Sequence, residues 1–164
     1  MPLAQSIFRS SAMLALVAGL TLAGCAKQTL PDNAGGLGLS ATPGSQQDFT
    51  VNVGDRIFFD TDSSLIRADA QTTLTRQAQW LNQYGSYSIT VEGHADERGT
   101  REYNLALGAR RAAATRDFLV ARGVAGNRIR TISYGKERPV AVCDNISCWS
   151  QNRRAVTVLN GAGS

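Results

Sequence analysis

Between Arg56 and Leu159 the apolar positions follow two periods in turn, and those periods lay out the elements. Arg56-Ile57-Phe58-Phe59 is a short apolar run that breaks at Asp60-Thr61-Asp62-Ser63, which predicts a strand entering a loop. Ala70, Leu74, Gln77/Ala78, Leu81 and Tyr84 recur at helical spacing, with Gly85 placed as a terminating C-cap glycine. Tyr87 to Glu92 alternates around Ile89 and Val91 and predicts a second strand. After the turn His94 to Thr100, a second helix is expected over Glu102 to Arg122, stopping at Gly123. Its apolar stripe of Leu105, Ala109, Ala112 and Leu119 should be the buried face. Ile129 to Tyr134 and Arg154 to Leu159 read as the third and fourth strands. The alternation predicts βαβ units in an α+β domain, an α/β sandwich with a mixed four-stranded sheet and two main helices on one face. With no long helix between them, the last two strands are expected to pair antiparallel.

The first fifty residues follow neither period. Arg9 is followed by an uncharged run, Ala12 to Ala23, which is signal-peptide length and too short to span a bilayer, for which a helix needs about 20 residues. Leu22-Ala23-Gly24-Cys25 closes it and reads as a lipobox, the signal for lipid attachment at a cysteine and cleavage before it. Residues 1–24 are then a removed lipoprotein signal, and Cys25 carries acyl chains outside the cytoplasm. Stable anchoring takes two or more chains, at about 0.8 kcal/mol per buried CH₂. From Ala26 to Thr50, Pro31, Gly35, Gly36, Gly38, Pro43, Gly44 and Gln46-Gln47 interrupt any periodicity, so residues 25–50 read as a lipidated tether. A coil of that length averages roughly 25–30 Å end to end. The globular head is assigned to residues 51–160, and 161–164 to a tail.

Charge changes this picture little. Removing the signal takes away Arg9 alone, leaving 16 basic against 13 acidic residues, a net +3. Lys27 and Lys136 are the only lysines, so the basic groups are nearly all guanidinium forks suited to carboxylates and phosphates. Export and the modest excess argue against nucleic acid as a partner. Cys143 and Cys148, only five positions apart, are expected to form a disulfide outside the cytoplasm, worth roughly 2 kcal/mol in the chain-entropy model. Neither they nor the lone His94 supply a metal cluster, and no cofactor is expected.

The richest local chemistry is Thr90 to Thr100, which contains Glu92-Gly93-His94-Ala95-Asp96-Glu97-Arg98-Gly99-Thr100. On the helix that follows, Asn104, Leu107 and Arg111 stand at i, i+3 and i+7. This stripe should turn away from the apolar face, so Asp96 and Arg111 are expected to put a carboxylate and a guanidinium into one crevice. An Arg111 that lies exposed should be replaceable by leucine without harm to the fold. On their own the two residues read more readily as a surface ion pair or an N-terminal charge effect. His94 reads as a turn or packing residue. Trp80 and Trp149 read as core or surface-cluster aromatics, Trp80 with a possible place in an interface.

The stretch Glu92 to Thr100, with Tyr103-Asn104, Leu107-Gly108, Arg110-Arg111-Ala112, Ser133 to Glu137 and Asn152 to Val156, resembles the OmpA-like peptidoglycan-binding domain family. Within that family it is similar to the peptidoglycan-associated lipoproteins. The resemblance covers the whole head and implies a βαβαββ fold. It implies a diaminopimelate site in which Asp96 takes the ammonium and Arg111 the carboxylate of the stem peptide. Thr100 and Leu107 would flank the ligand, and Phe59 and Asp60 would supply backbone groups. The cysteine loop departs from the commoner pattern but should lie away from the motif.

The same resemblance implies an outer-membrane lipoprotein with its head in the periplasm, binding peptidoglycan non-covalently within the Tol-Pal system. Its implied partners are the TolB propeller, TolA and other outer-membrane proteins, besides the membrane reached through the lipid. Ala26 after the cysteine favours outer-membrane sorting. A wall hydrolase would need a nucleophile–base pair or a metal, for which His94, Asp96 and Glu97 are thin material, so a binder and not an enzyme is expected. A flagellar-stator protein would need a transmembrane helix with a proton-carrying acid, which this sequence does not present. Another OmpA-like envelope lipoprotein remains the nearer alternative.

Overall fold

The computed structural model describes residues 41–161. The lipobox, Cys25 and the tether up to residue 40 lie outside the described residues, as does most of the tail. Helix α1 (Gln46–Asp48) runs into a π-helical stretch, Phe49–Gly54. The remaining order is β1 (Arg56–Phe58), α2 (Ala68–Gln83), β2 (Ser88–His94), α3 (Arg101–Ala121), a 3₁₀ turn (Gly126–Arg128), β3 (Ile129–Gly135), α4 (Ile146–Asn152) and β4 (Arg154–Asn160). The two main helices and the βαβαββ order match the sequence reading.

The strand pairing differs in one respect. The sheet order is β1-β4-β2-β3, so the last two strands are not neighbours. β3 runs parallel to β2, and β4 pairs antiparallel with both β1 and β2. The crossover through α3 commits one edge of β2 to β3. The other edge of β2 and the facing edge of β1 still need hydrogen-bond partners, and β4 satisfies both ladders at once.

Ile57, Ile89, Val91, Ala155 and Leu159 face α2 and α3 from the sheet, and Leu74, Ala78, Leu81, Ala112 and Leu119 answer from the helices. α3 ends as its sequence predicts: Gly123 takes φ +92°, and Val124 N–H reaches back to the Leu119 carbonyl at 3.1 Å. Gly85 is not in the left-handed region; α2 closes at Tyr84 with ψ 69°.

Two expectations are corrected by packing. The first is the start of the head. Phe49 is 1 % exposed and meets Trp80 edge-on at 4.9 Å. Asp48 accepts the Trp80 indole N–H at 2.8 Å, and the Tyr87 hydroxyl donates to the Gly44 carbonyl. The residues from Gly44 onward are therefore part of the head, and Trp80 is a core residue. One buried phenylalanine among glycines, prolines and glutamines leaves no period to read.

The second correction concerns α3. Its buried residues are Asn104, Leu107, Gly108, Arg111, Ala112, Thr115 and Leu119, whereas Leu105 is half-buried and Ala109 exposed. α3 approaches β2 through backbone: a Cβ placed on Gly93 would lie 1.9 Å from the Gly108 carbonyl oxygen. That contact turns the polar stripe inward. Asn104 then donates to the Arg98 and Thr100 carbonyls, and Thr115 to the Arg111 carbonyl. A reading that counts polar side chains as outward places this helix about a quarter-turn wrong.

Candidate functional site

Two loops meet where β2 ends and α3 begins. Gly93 and His94 close β2, Ala95 to Gly99 form the loop, and Thr100 caps α3 by accepting Tyr103 N–H at 3.2 Å. From the side, the chain after β1 brings Thr61, Asp62 and Ser63. The result is a pocket of about 290 Å³ lined by Thr61, Asp62, Asp96, Arg98, Tyr103 and Arg111 among others. Leu107 is also in its wall.

Arg111 is 0 % exposed, which corrects its expected place on the surface. Its Nε donates to the Ser63 carbonyl at 2.8 Å, Nη1 to the His94 carbonyl at 2.8 Å and Nη2 to the Asp60 carbonyl at 3.1 Å. The guanidinium stands 5.2 Å from the Phe59 ring centroid. A guanidinium has five N–H donors. Three are spent on main chain, two in the loop after β1 and one at the end of β2, so this side chain ties the site together as well as lining it. Burial, helped by the nearby Arg153 charge, pushes its pKa down to about 10, so it stays cationic at neutral pH.

Asp96 is 7 % exposed. Arg98 grips it with Nε at 3.2 Å and Nη2 at 2.6 Å, and Arg153 Nη1 lies 3.3 Å from Oδ2. Burial alone would raise the Asp96 carboxyl, but the hydrogen bonds from Arg98 and Arg153 outweigh it and hold it below the ordinary value. Arg153 also donates to the Phe59 carbonyl at 3.1 Å, fixing the end of β1 beneath the site.

Asp96, Arg111 and Leu107 are thus brought to one pocket, as the sequence suggested. Thr100 serves as the α3 N-cap. Phe59 is buried beneath Arg111, and Asp60 contributes its carbonyl while its carboxylate pairs with Arg67 at 3.2 Å. Sequence reasoning missed Asp62, Tyr103, Arg98 and Arg153. The Tyr103 hydroxyl donates to Asp62, linking the loop after β1 to the first turn of α3. Asp62 itself has φ +53°. Two signals pointed to this set: the acid-rich break after Phe59, and the double arginine at 153 and 154 where the fourth strand begins.

The cysteine loop is nearer the motif than expected. The Cys143–Cys148 disulfide is formed, with a Cα–Cα distance of 5.7 Å. It braces α4, whose Trp149 donates its indole N–H to the Glu97 carboxylate and stacks on Arg98, 4.2 Å from ring centroid to guanidinium carbon.

His94 is 2 % exposed, and neither ring nitrogen has a hydrogen-bond partner among the described residues. Nε2 lies 3.6 Å from Glu92, and the ring stacks on Tyr134 at 5.5 Å. Desolvation, then the charges of Arg154 and Arg138, lower its pKa to about 4. The unfolded chain takes up this proton near pH 6.5, and the folded one resists until about 4. Stability should therefore be full above pH 6.5 and fall by up to about 3 kcal/mol as the pH drops to 4. In denaturant titrations across that window His94→Gln should flatten the slope; an unchanged slope would assign the loss elsewhere.

Residues 58–153 match the OmpA family model. The chain is 78% identical over 164 residues to the peptidoglycan-associated lipoprotein of Rhizobium meliloti, covering 98% of this chain and 93% of that one. It is 44% identical over 124 residues to that of Pseudomonas aeruginosa, covering 74% and 73%. The crystal structure of the peptidoglycan-associated lipoprotein from Burkholderia pseudomallei superposes with TM-score 0.67 at 38% identity, covering 73% of this chain and all of that one. The C-terminal domain of Helicobacter pylori MotB superposes with TM-score 0.61 at 25% identity, over 65% and 84%. With the family model, the relatives and the superposed fold in agreement, the chain belongs to the OmpA family, among the peptidoglycan-associated lipoproteins.

Proposed function

We propose that this head grips the diaminopimelate of the peptidoglycan stem peptide without cleaving it, and that a lipid on Cys25 ties it to the outer membrane. The observation that carries this reading is the shared pocket of Asp96 and Arg111. The side-chain end of meso-diaminopimelate bears an ammonium and a carboxylate on one carbon. A carboxylate and a guanidinium in one cleft pair with both, and a simple cation or anion satisfies only half of the site. Leu107 offers the methylene chain an apolar wall. The two N–H groups that Arg111 does not spend on main chain are those left for the ligand carboxylate.

The chemistry of these side chains supports binding over turnover. His94 is buried with its pKa lowered to about 4, its Nε2 lies 3.6 Å from Glu92 and its ring packs on Tyr134. Asp96 is held ionised by two arginines, which suits an ion-pair acceptor and not a general acid. The remaining parts of the reading follow the family: outer-membrane sorting, a periplasmic head, and TolB and TolA as partners within the Tol-Pal system of envelope integrity and division.

The test is co-sedimentation of the full chain with purified sacculi. Asp96→Asn keeps the shape and removes the charge, so retention should fall by about 10–100-fold, the worth of one charge-assisted hydrogen-bond set. Equal retention of both proteins would sink the assignment. Release of soluble muropeptides by the unmodified protein would replace binding by hydrolysis.

A further inference from the structure

The Asp96 carboxylate that should meet a ligand ammonium already has two cationic partners, and they differ in kind. Arg153 is buried, with an 8 % exposed side chain, and is fixed by its second bond to the Phe59 carbonyl. Arg98 is 40 % exposed and holds Asp96 only through its side chain and its own backbone N–H at 3.3 Å. The backbone beneath Arg98 is pinned. Asn104 donates to the Arg98 carbonyl at 2.7 Å, and Lys136 to the carbonyls of Glu97 and Gly99 at 3.1 and 2.7 Å. The guanidinium can therefore leave while the loop stays in place. Its outer side rests on Trp149, whose helix is braced by the disulfide, and the neighbouring Glu97 carboxylate adds to the cation's stability there.

We propose that Arg98 is an internal rival for the ammonium subsite, backed by Trp149, so that ligand binding at Asp96 is an exchange of one cation for another. This rests on the wall-peptide reading above. Three guanidiniums, Arg98, Arg111 and Arg153, surround one carboxylate, Asp96, with Asp62 at the edge. An added ammonium meets net repulsion unless one of the three moves, and only Arg98 is exposed enough to do so. The exchange keeps Asp96 paired throughout, which avoids stranding a buried charge. It also filters ligands: a carboxylate without an ammonium has nothing with which to displace Arg98. The apparent affinity is lowered by the fraction of molecules in which Arg98 holds the subsite.

The experiment is calorimetric titration of the full chain in detergent with a meso-diaminopimelate stem peptide. Arg98→Met should bind about five-fold more tightly than the unmodified protein, the scale of an exposed two-pronged ion pair. Trp149→Leu should shift affinity the same way by about two-fold, since a cation–π contact at an exposed edge is the weaker restraint. A second readout needs no substitution. The indole N–H resonance of Trp149 should move when the stem peptide is added, and hold still for a peptide whose side-chain amine is acetylated. Unchanged or weaker binding by Arg98→Met, or an unmoved indole resonance while the peptide binds, overturns the exchange and leaves the wall-peptide reading standing. No binding by any of the proteins overturns both.

Discussion

Replacing Arg111 by leucine should abolish stem-peptide binding and cost the fold about 3 kcal/mol as well. The second effect is the one that the sequence pattern concealed. Arg111 is fully buried and donates to the carbonyls of Ser63 and Asp60, in the loop after β1, and of His94, at the end of β2. Leucine leaves all three acceptors without that donor. A hydrogen bond from a charged group contributes about 1.5–3 kcal/mol, and the desolvation relieved by deleting a buried cation offsets part of the sum. Urea unfolding should show a lower midpoint with an unchanged slope. Arg111→Lys should recover only part of this, because one ammonium cannot reach three carbonyls set around a planar fork. A midpoint equal to that of the parent would show that the three bonds contribute nothing net. Arg98→Met, which removes a half-exposed guanidinium and leaves Asp96 paired with Arg153, is the contrasting control: its midpoint should stay within about 0.5–1 kcal/mol of the parent's.

Gly93→Ala should be comparably damaging without touching a charge. Its Cβ would fall 1.9 Å from the Gly108 carbonyl oxygen and 2.7 Å from its carbon. Both partners are backbone, so no rotamer change relieves the clash. α3 must lift off β2, loosening Ala112 and Leu119 from the core and shifting Arg111, which lies three residues beyond Gly108. Overpacking of this kind costs typically 1–3 kcal/mol, and a rigid backbone–backbone contact belongs at the upper end. For a domain of this size that lowers Tm by roughly 10–15 °C. Gly108→Ala tests the same seam from the other side, where the Cβ would meet Ser133 Oγ at 2.4 Å and the Gly93 carbonyl oxygen at 2.8 Å. Ser133 is a side chain that can turn and the backbone clash is shallower than that of Gly93→Ala, so the penalty should be smaller but not absent. Thermal melts of the two variants in that order check the argument; equal melting of parent and Gly93→Ala would refute it.

The elements themselves were legible because their signals are local. Ile89 and Val91 alternate along β2, and Ala70, Leu74, Ala78 and Leu81 keep helical step along α2, in each case because one face meets one core. Asp96 and Arg111 were legible as a pair through the motif around them. The direction of α3 was not. Leu105 and Ala109 look like a core face until Gly93 and Gly108 are seen to touch, and that contact joins residues fifteen positions apart. Nor was the role of the cysteine loop legible, because Trp149 reaches Glu97 and Arg98 only across the fold, about fifty residues back.

Strand and helix order, the disulfide partners, the family motif and the chemical types at the site are all encoded by neighbours or by short spacings. Which face of α3 is buried, where the head begins, that β4 lies between β1 and β2, and that Arg111 is a buried tie came only with the packed fold. It also decided which cation sits on Asp96. Each of those outcomes is settled by satisfying backbone groups and charges between segments far apart in the chain, and a periodic pattern carries no record of such partners.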